Sequence, residues 1–151
     1  MKIRWDPSSS VAYQVNLAFR LLAQRNEEGL RPLQIGVAYI PVLAAIANLG
    51  PRTQKELAEI AHVDQSTMTL LLGRMEKAGF IVRSPSPRDG RAVIVDLSDE
   101  GKARVPESKA IVLGTVQRAL RGFSSIETNT LRTLLQRFIT NLETQETEDE
   151  T

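Results

Sequence analysis

The feature that most restricts the fold of this 151-residue chain is a change of hydrophobic period at Gly79. Before it, Met68, Leu71, Leu72 and Met75 fall at i, i+3, i+4 and i+7, the spacing of one helical face. After it, Phe80 to Ser84 and Ala92 to Leu97 are rich in β-branched and aromatic residues and read as two strands. The intervening Pro85-Ser-Pro-Arg-Asp-Gly-Arg91 has the composition of a hairpin loop, and Arg83, Arg88 and Arg91 sit in and beside it. A helix feeding directly into a basic hairpin admits few architectures.

The segments around this junction are helical. Val11, Val15, Ala18, Phe19 and Leu22 recur at spacings of three and four, predicting a first helix from about Ser9 to Gln24. Asn26 to Gly36, with Gly29, Pro32 and Gly36, reads as a loop. Tyr39 to Leu49 forms a second helix with Pro41 in its first turn, where a missing N–H matters least, and Gly50-Pro51 closes it. Thr53 and Glu56 make a capping box for a short helix from Gln54 to Ala61. After the turn His62-Val63, Asp64 caps the next helix, which Gly79 ends. Gln65, Ser66, Thr69 and Gly73 stand on its opposite side, all small or polar. From Ser98 the chain is helical again, with Leu113, Val116 and Leu120 as the apolar stripe and Pro106 a kink or first-turn proline. Gly122 breaks that helix. Ser124 and Glu127 form a second capping box before Leu131, Leu134, Leu135, Phe138 and Leu142.

Composition narrows the chemistry. The chain has 42% hydrophobic and 25% charged residues and no apolar run of transmembrane length, and its start lacks the apolar stretch of a secretory signal, so a cytoplasmic location is expected. The absence of cysteine removes disulfides, thiolate nucleophiles and cysteine redox switches. The single histidine, His62, has no neighbouring second ligand and reads as a polar residue in an inter-helix turn, so no metal or other cofactor is expected. Five acids from Glu143 onward, with no base, leave 19 bases against 13 acids over the first 142 residues, a formal charge of +6. Such a body can prefer a polyanion, although a normally solvated surface with a disordered acidic tail has the same composition.

Helix, tight turn, amphipathic helix and basic hairpin, in that order, make a winged helix-turn-helix, and each part has a physical task. The second helix of the pair can enter the major groove of duplex DNA, where Gln65, Ser66 and Thr69 can pair with base edges. Thr67 is placed for a phosphate, aided by the free N–H groups of the first turn. Arg88 and Arg91 can reach phosphates or the narrow minor groove. An enzyme finds little support here, because there is no paired-histidine site and no Gly-rich phosphate loop, and Glu56, Glu59, Asp64 and Asp89 serve as caps and ion-pair partners. A winged helix used purely for protein contact stays open as an alternative, since fold alone does not fix function.

Thr53-Gln-Lys-Glu-Leu-Ala-Glu-Ile-Ala61, Asp64-Gln-Ser-Thr-Met-Thr69, Met75-Glu-Lys-Ala-Gly-Phe-Ile-Val-Arg83 and Arg88-Asp-Gly-Arg-Ala-Val-Ile-Val-Asp-Leu-Ser98-Asp-Glu-Gly101 together resemble the MarR family, the multiple antibiotic resistance regulators. The core of the resemblance covers about Val37 to Lys102, and the flanking helices match the family's dimerisation helices in order and length. It implies a mostly α chain with a small β-hairpin wing. Residues 1–36 would be a dimerisation helix and loop, 37–101 the winged lobe, 102–142 further dimerisation helices and 143–151 a disordered acidic tail. It further implies a triangular homodimer, usually a repressor, on the half-sites of an imperfect palindrome. By the family's pattern Arg91 is the tip arginine of the wing and Asp89 its orienting carboxylate, and Arg74 braces the wing or meets phosphate. Ser86 stands where aspartate is common, Ser98 where threonine is common, and Leu70 where many members carry a basic or polar residue.

A repressor needs a release mechanism, and the composition removes thiol oxidation and metal capture. The resemblance places an effector pocket beneath the first, second and fifth helices. Tyr13, Phe19, Arg20 and Tyr39 lie on the first two, where aromatic faces beside a guanidinium suit a small aromatic carboxylate. A reading of these aromatics as ordinary core, with Arg20 in a surface or interface ion pair, is equally open.

Overall fold

The computed structural model describes residues 6–149, with side chains as far as Thr144. Six helices and three short strands follow the chain: α1 (Val11–Leu30), α2 (Ile40–Leu49), β1 (Arg52–Thr53), α3 (Gln54–Ala61), α4 (Gln65–Lys77), β2 (Ile81–Pro85), β3 (Val93–Leu97), α5 (Asp99–Ala119) and α6 (Ser125–Asp149). They fall into two units, one ending at Thr115 and the other beginning at Val116. Among the described residues no single helix is long and apolar enough to cross a membrane.

The first unit is built around the apolar faces of α2, α3 and α4. Val42, Leu43 and Ile46 of α2, Leu57 of α3, and Met68, Leu72 and Met75 of α4 form one core with Phe80, Ile81, Val95 and Leu97. The sheet has the order β1-β3-β2, antiparallel throughout. Arg83 lies opposite Val95, and Arg52 flanks Val95 on the other side. β1 has only two residues, too few to carry a period, so no sequence pattern announces it. Between α3 and α4 the chain turns at His62, whose left-handed φ of 52° and N–H bonded back to the end of α3 make the αL helix terminus that usually favours glycine. Histidine is among the residues that tolerate it.

Two helices differ from expectation. α1 continues to Leu30, six residues past Gln24, and the predicted loop begins only with a 3₁₀ turn at Arg31–Leu33. Gly29 looks like a helix breaker but answers a packing need: a Cβ there would stand 2.6 Å from Ile111 Cγ2 of α5. In α5, Pro106 is neither terminal nor a stop, because the helix runs through it. The expected stripe residues Leu113 and Val116 are exposed in a single chain, and α5 also buries the small residues Gly101, Ser108 and Thr115, spaced by seven. Ser108 and Thr115 satisfy their buried hydroxyls by donating to the carbonyls of Arg104 and Ile111, one turn back.

In the second unit, Gly122 takes a left-handed φ of 86° and ends the turn after α5. The Ser124–Glu127 capping box then forms as expected, with Ser124 N–H donating to Glu127 Oε2 at 2.8 Å and Glu127 N–H to Ser124 Oγ at 3.1 Å. The backbone of α6 stays helical to Asp149, so most of the acidic segment expected to be disordered continues the helix. The last two residues of that segment, Glu150 and Thr151, lie outside the described residues, as do Met1 to Trp5 at the start.

Candidate nucleic-acid interface

The helix pair is fixed by its caps. Thr53 accepts the N–H of Glu56 at 3.2 Å, while Glu56 Oε2 accepts the Thr53 N–H at 2.7 Å and the Thr53 hydroxyl at 3.0 Å, and these last two bonds hold the Glu56 carboxyl below its ordinary value of 4.5. Asp64 Oδ1 accepts the N–H of Thr67 at 2.6 Å, and the backbone and side chain of Thr67 together lower the Asp64 carboxyl. The Thr67 N–H is thus taken up by the helix cap, by an anion that would repel a phosphate.

The rest of the polar face is ordered by a residue that the sequence reading missed. Gln54, first in α3, donates its amide to Thr69 Oγ1 at 2.7 Å and lies 3.5 Å from Gln65 Oε1, while the Thr69 hydroxyl donates to the carbonyl of Gln65 at 2.8 Å. These links hold two of the expected base-contacting side chains in one geometry. Only the neighbourhood of α3 and α4 in the folded lobe reveals them, because no local spacing connects positions 54 and 69. Gln65, Ser66, Thr67 and Thr69 are all exposed. Met68, Leu72 and Met75 carry the opposite face into the core.

The wing is shaped by short local bonds. Ser86 accepts from the N–H groups of Arg88 and Asp89 at 3.3 and 3.4 Å, and its own N–H donates to the Ala92 carbonyl at 2.9 Å. Serine thus closes the loop. Asp89 Oδ1 accepts the backbone N–H of Arg91 at 3.0 Å. The carboxylate therefore sets the backbone at the wing tip, and it pairs with no guanidinium among the described residues. Arg88 and Arg91 are exposed and form no ion pair among the described residues.

Arg74 is likewise exposed and without an ion-pair partner among the described residues. The bracing of wing on helix belongs instead to Arg83 of β2, whose Nε lies 3.1 Å from Glu76 Oε2 of α4. Ser98 ties the lobe to α5 from the other side: it donates its hydroxyl to the Gly79 carbonyl and its N–H to the Phe80 carbonyl, and accepts the N–H of Gly101 at 3.0 Å.

The proposed effector residues are not gathered by any contact among the described residues. Tyr13 and Arg20 are exposed on α1, and Tyr39 packs edge-on against Phe80 with ring centroids 6.2 Å apart, a partly buried core contact. Two surface cavities, of about 380 and 450 Å³, are lined by other residues.

Known proteins are similar to this chain in sequence and fold. The sequence model of the MarR family matches residues 40–93. The multiple antibiotic resistance protein MarR of Escherichia coli is 31% identical over 74% of this chain and 78% of its own length. The transcriptional repressor IacR of Pseudomonas putida is 26% identical over 92% of this chain and 87% of its own. Among solved structures, a mutant MarR from Escherichia coli complexed with operator DNA superposes with a TM-score of 0.79 at 27% identity, covering 85% of this chain and 92% of that one.

Proposed function

This chain belongs to the MarR family of transcriptional regulators, and from that premise we propose that it is a cytoplasmic homodimeric repressor that seats its two winged lobes on a palindromic duplex and is released by a small molecule. The observation that carries the reading is one lobe presenting two complementary surfaces. Gln65, Ser66 and Thr69 offer polar groups on the exposed side of α4, and Arg88 and Arg91 offer charge on the wing that no ion pair takes up among the described residues. The first set suits base edges in the major groove, and the second suits phosphates or the minor groove. Arg74, late on α4, adds a phosphate contact, and Asp89 holds the wing backbone for Arg91. Thr67 serves the helix cap. The operator complex of the Escherichia coli relative supports duplex DNA as the partner, and the name of the Pseudomonas putida relative supports repression.

The dimer reading rests on uncovered apolar surface. Val11, Phe19 and Leu21 of α1 are exposed in a single chain, as are Leu113 of α5 and Leu131, Leu134, Ile139 and Leu142 of α6. Burial against a second copy removes that area from water, at about 25 cal/mol per Å². Two copies also set two recognition helices about one DNA turn apart. A small aromatic carboxylate is the proposed effector, with Tyr13 and Arg20 of α1 as its exposed contacts and Tyr39, just before α2, as the third. It shifts the equilibrium only by its differential affinity for the released conformation.

Titration of the full-length protein against duplexes enriched from a random library, between about 50 and 200 mM salt, tests the reading. Wild type should lose affinity steeply with salt, and Arg91→Ala should flatten the slope by about one unit per protomer. The same titration with salicylate present should show weaker binding. Salt-independent association, or an Arg91→Ala slope equal to wild type, refutes the interface; unchanged binding with salicylate and related acids refutes the effector class.

A further inference from the structure

The outward line of α4, opposite Met68, Leu72 and Met75, runs Ser66, Leu70, Gly73 and Lys77 at spacings of four, three and four. Leu70 sits at its centre, and 64% of it is exposed. It is the sixth residue of α4, within the half of a recognition helix that reaches base edges. A lone exposed leucine on an ordinary surface calls for no explanation. This one stands among Ser66, Thr69, Gly73 and Arg74, on the face where the proposed function requires polar readout, and it can neither donate nor accept a hydrogen bond. Pressed into a major groove, it would strip water from any amino or carbonyl edge it covered and return nothing.

The major groove offers one apolar group, the C5-methyl of thymine. The geometry points to Leu70 as a thymine reader: its side chain packs on a thymine methyl in each half-site and rejects pairs that would place an unmatched polar edge there. This inference rests on the DNA-binding reading above. Gly73 supports it independently. A Cβ at that position would find only Arg83 Nη2, at 3.9 Å, so no packing inside the lobe requires glycine there. The bare backbone one turn beyond Leu70 leaves room for the groove wall to close on the leucine.

Exchanging thymine for deoxyuridine deletes this methyl and leaves base pairing intact. Duplexes are first enriched from a random library with the full-length wild-type protein, and each thymine in the enriched site is then replaced singly by deoxyuridine. One thymine per half-site should cost wild type about fourfold in Kd when replaced, the worth of one methyl removed from water, and about fifteenfold when both half-sites are changed. Leu70→Ala should bind thymine and deoxyuridine duplexes alike, with an unchanged melting temperature, and Leu70→Met should recover part of the preference. The inference is overturned if no thymine in the half-sites is sensitive in wild type, or if the sensitivity persists in Leu70→Ala. Failure to enrich any duplex is a different result, refuting the DNA-binding reading and this inference with it.

Discussion

Gly101→Ala should be among the most damaging single-methyl changes available to this fold. A Cβ on Gly101 would lie 2.0 Å from the Phe80 carbonyl oxygen, 3.0 Å from its carbon and 3.5 Å from Leu97 Cβ. Carbon–oxygen contacts settle near about 3.3 Å, so one backbone must retreat by more than about 1 Å. Neither is free to do so. The Phe80 carbonyl accepts the N–H of Ser98 at 3.0 Å, and the N–H of Gly101 donates to Ser98 Oγ at 3.0 Å, so movement on either side stretches the knot that joins wing to α5. Overpacking costs about 1–3 kcal/mol, and a buried donor or acceptor left unmatched about 1–3 more. The better helix propensity of alanine returns about 1 kcal/mol. The net loss is about 1–5 kcal/mol, a large share of the roughly 5–15 that a domain holds. Urea and thermal unfolding followed by circular dichroism, at matched protein concentration because dimerisation shifts both, should place the variant about 2–20 °C below wild type. A variant as stable as wild type would show that α5 does not press on the Phe80 carbonyl.

Two further outcomes are expected. Gly73→Ala is the same chemical change with the opposite sign: with no neighbour nearer than 3.9 Å it should stabilise the fold by about 0.5–1 kcal/mol through helix propensity, yet weaken DNA binding by placing a methyl on the groove-facing line, and a variant that is both more stable and binds as tightly as wild type refutes the close approach. The lowered carboxyls of Glu56, Asp64 and Glu127 contribute stability that is complete above their ordinary values and lost as pH falls through the lowered ones, so melting temperature should hold down to about pH 5 and decline below it, and Asp64→Asn, which keeps the cap without the titration, should show a shallower acid decline than wild type.

What the sequence made legible was what lies within one helical turn. Both capping boxes and the Asp64 cap depend on residues three apart, and all three stand in the structure as the residue types require. The hairpin and its basic loop followed from a period of two bounded by turn residues. What escaped depends on partners distant in the chain. Gln54 holds Thr69 only because α3 lies against α4, and Glu76 pairs with Arg83 only because the wing folds back on the helix. The small buried positions of α5 escaped for the same reason: periodicity reports where large apolar residues recur and says nothing of Gly101, Ser108 and Thr115, which are buried on the helix whose Val105 and Ile111 pack against the core.

Three of the glycines that lie within helices, Gly29, Gly73 and Gly101, differ in what the fold asks of them. In sequence Gly29 reads as a loop residue, and Gly73 and Gly101 as weak points in a helical pattern. The structure separates them: Gly29 lets Ile111 approach, Gly101 lets the Phe80 carbonyl approach, and Gly73 faces nothing within ordinary contact except the end of one arginine. For the first two the cause is inside the chain, and alanine is excluded by atoms already present. At Gly73 no internal atom excludes alanine, so the fold alone supplies no reason for giving up helix propensity there. Its position beside Leu70, on the outward line of α4, is where a bound duplex would supply one.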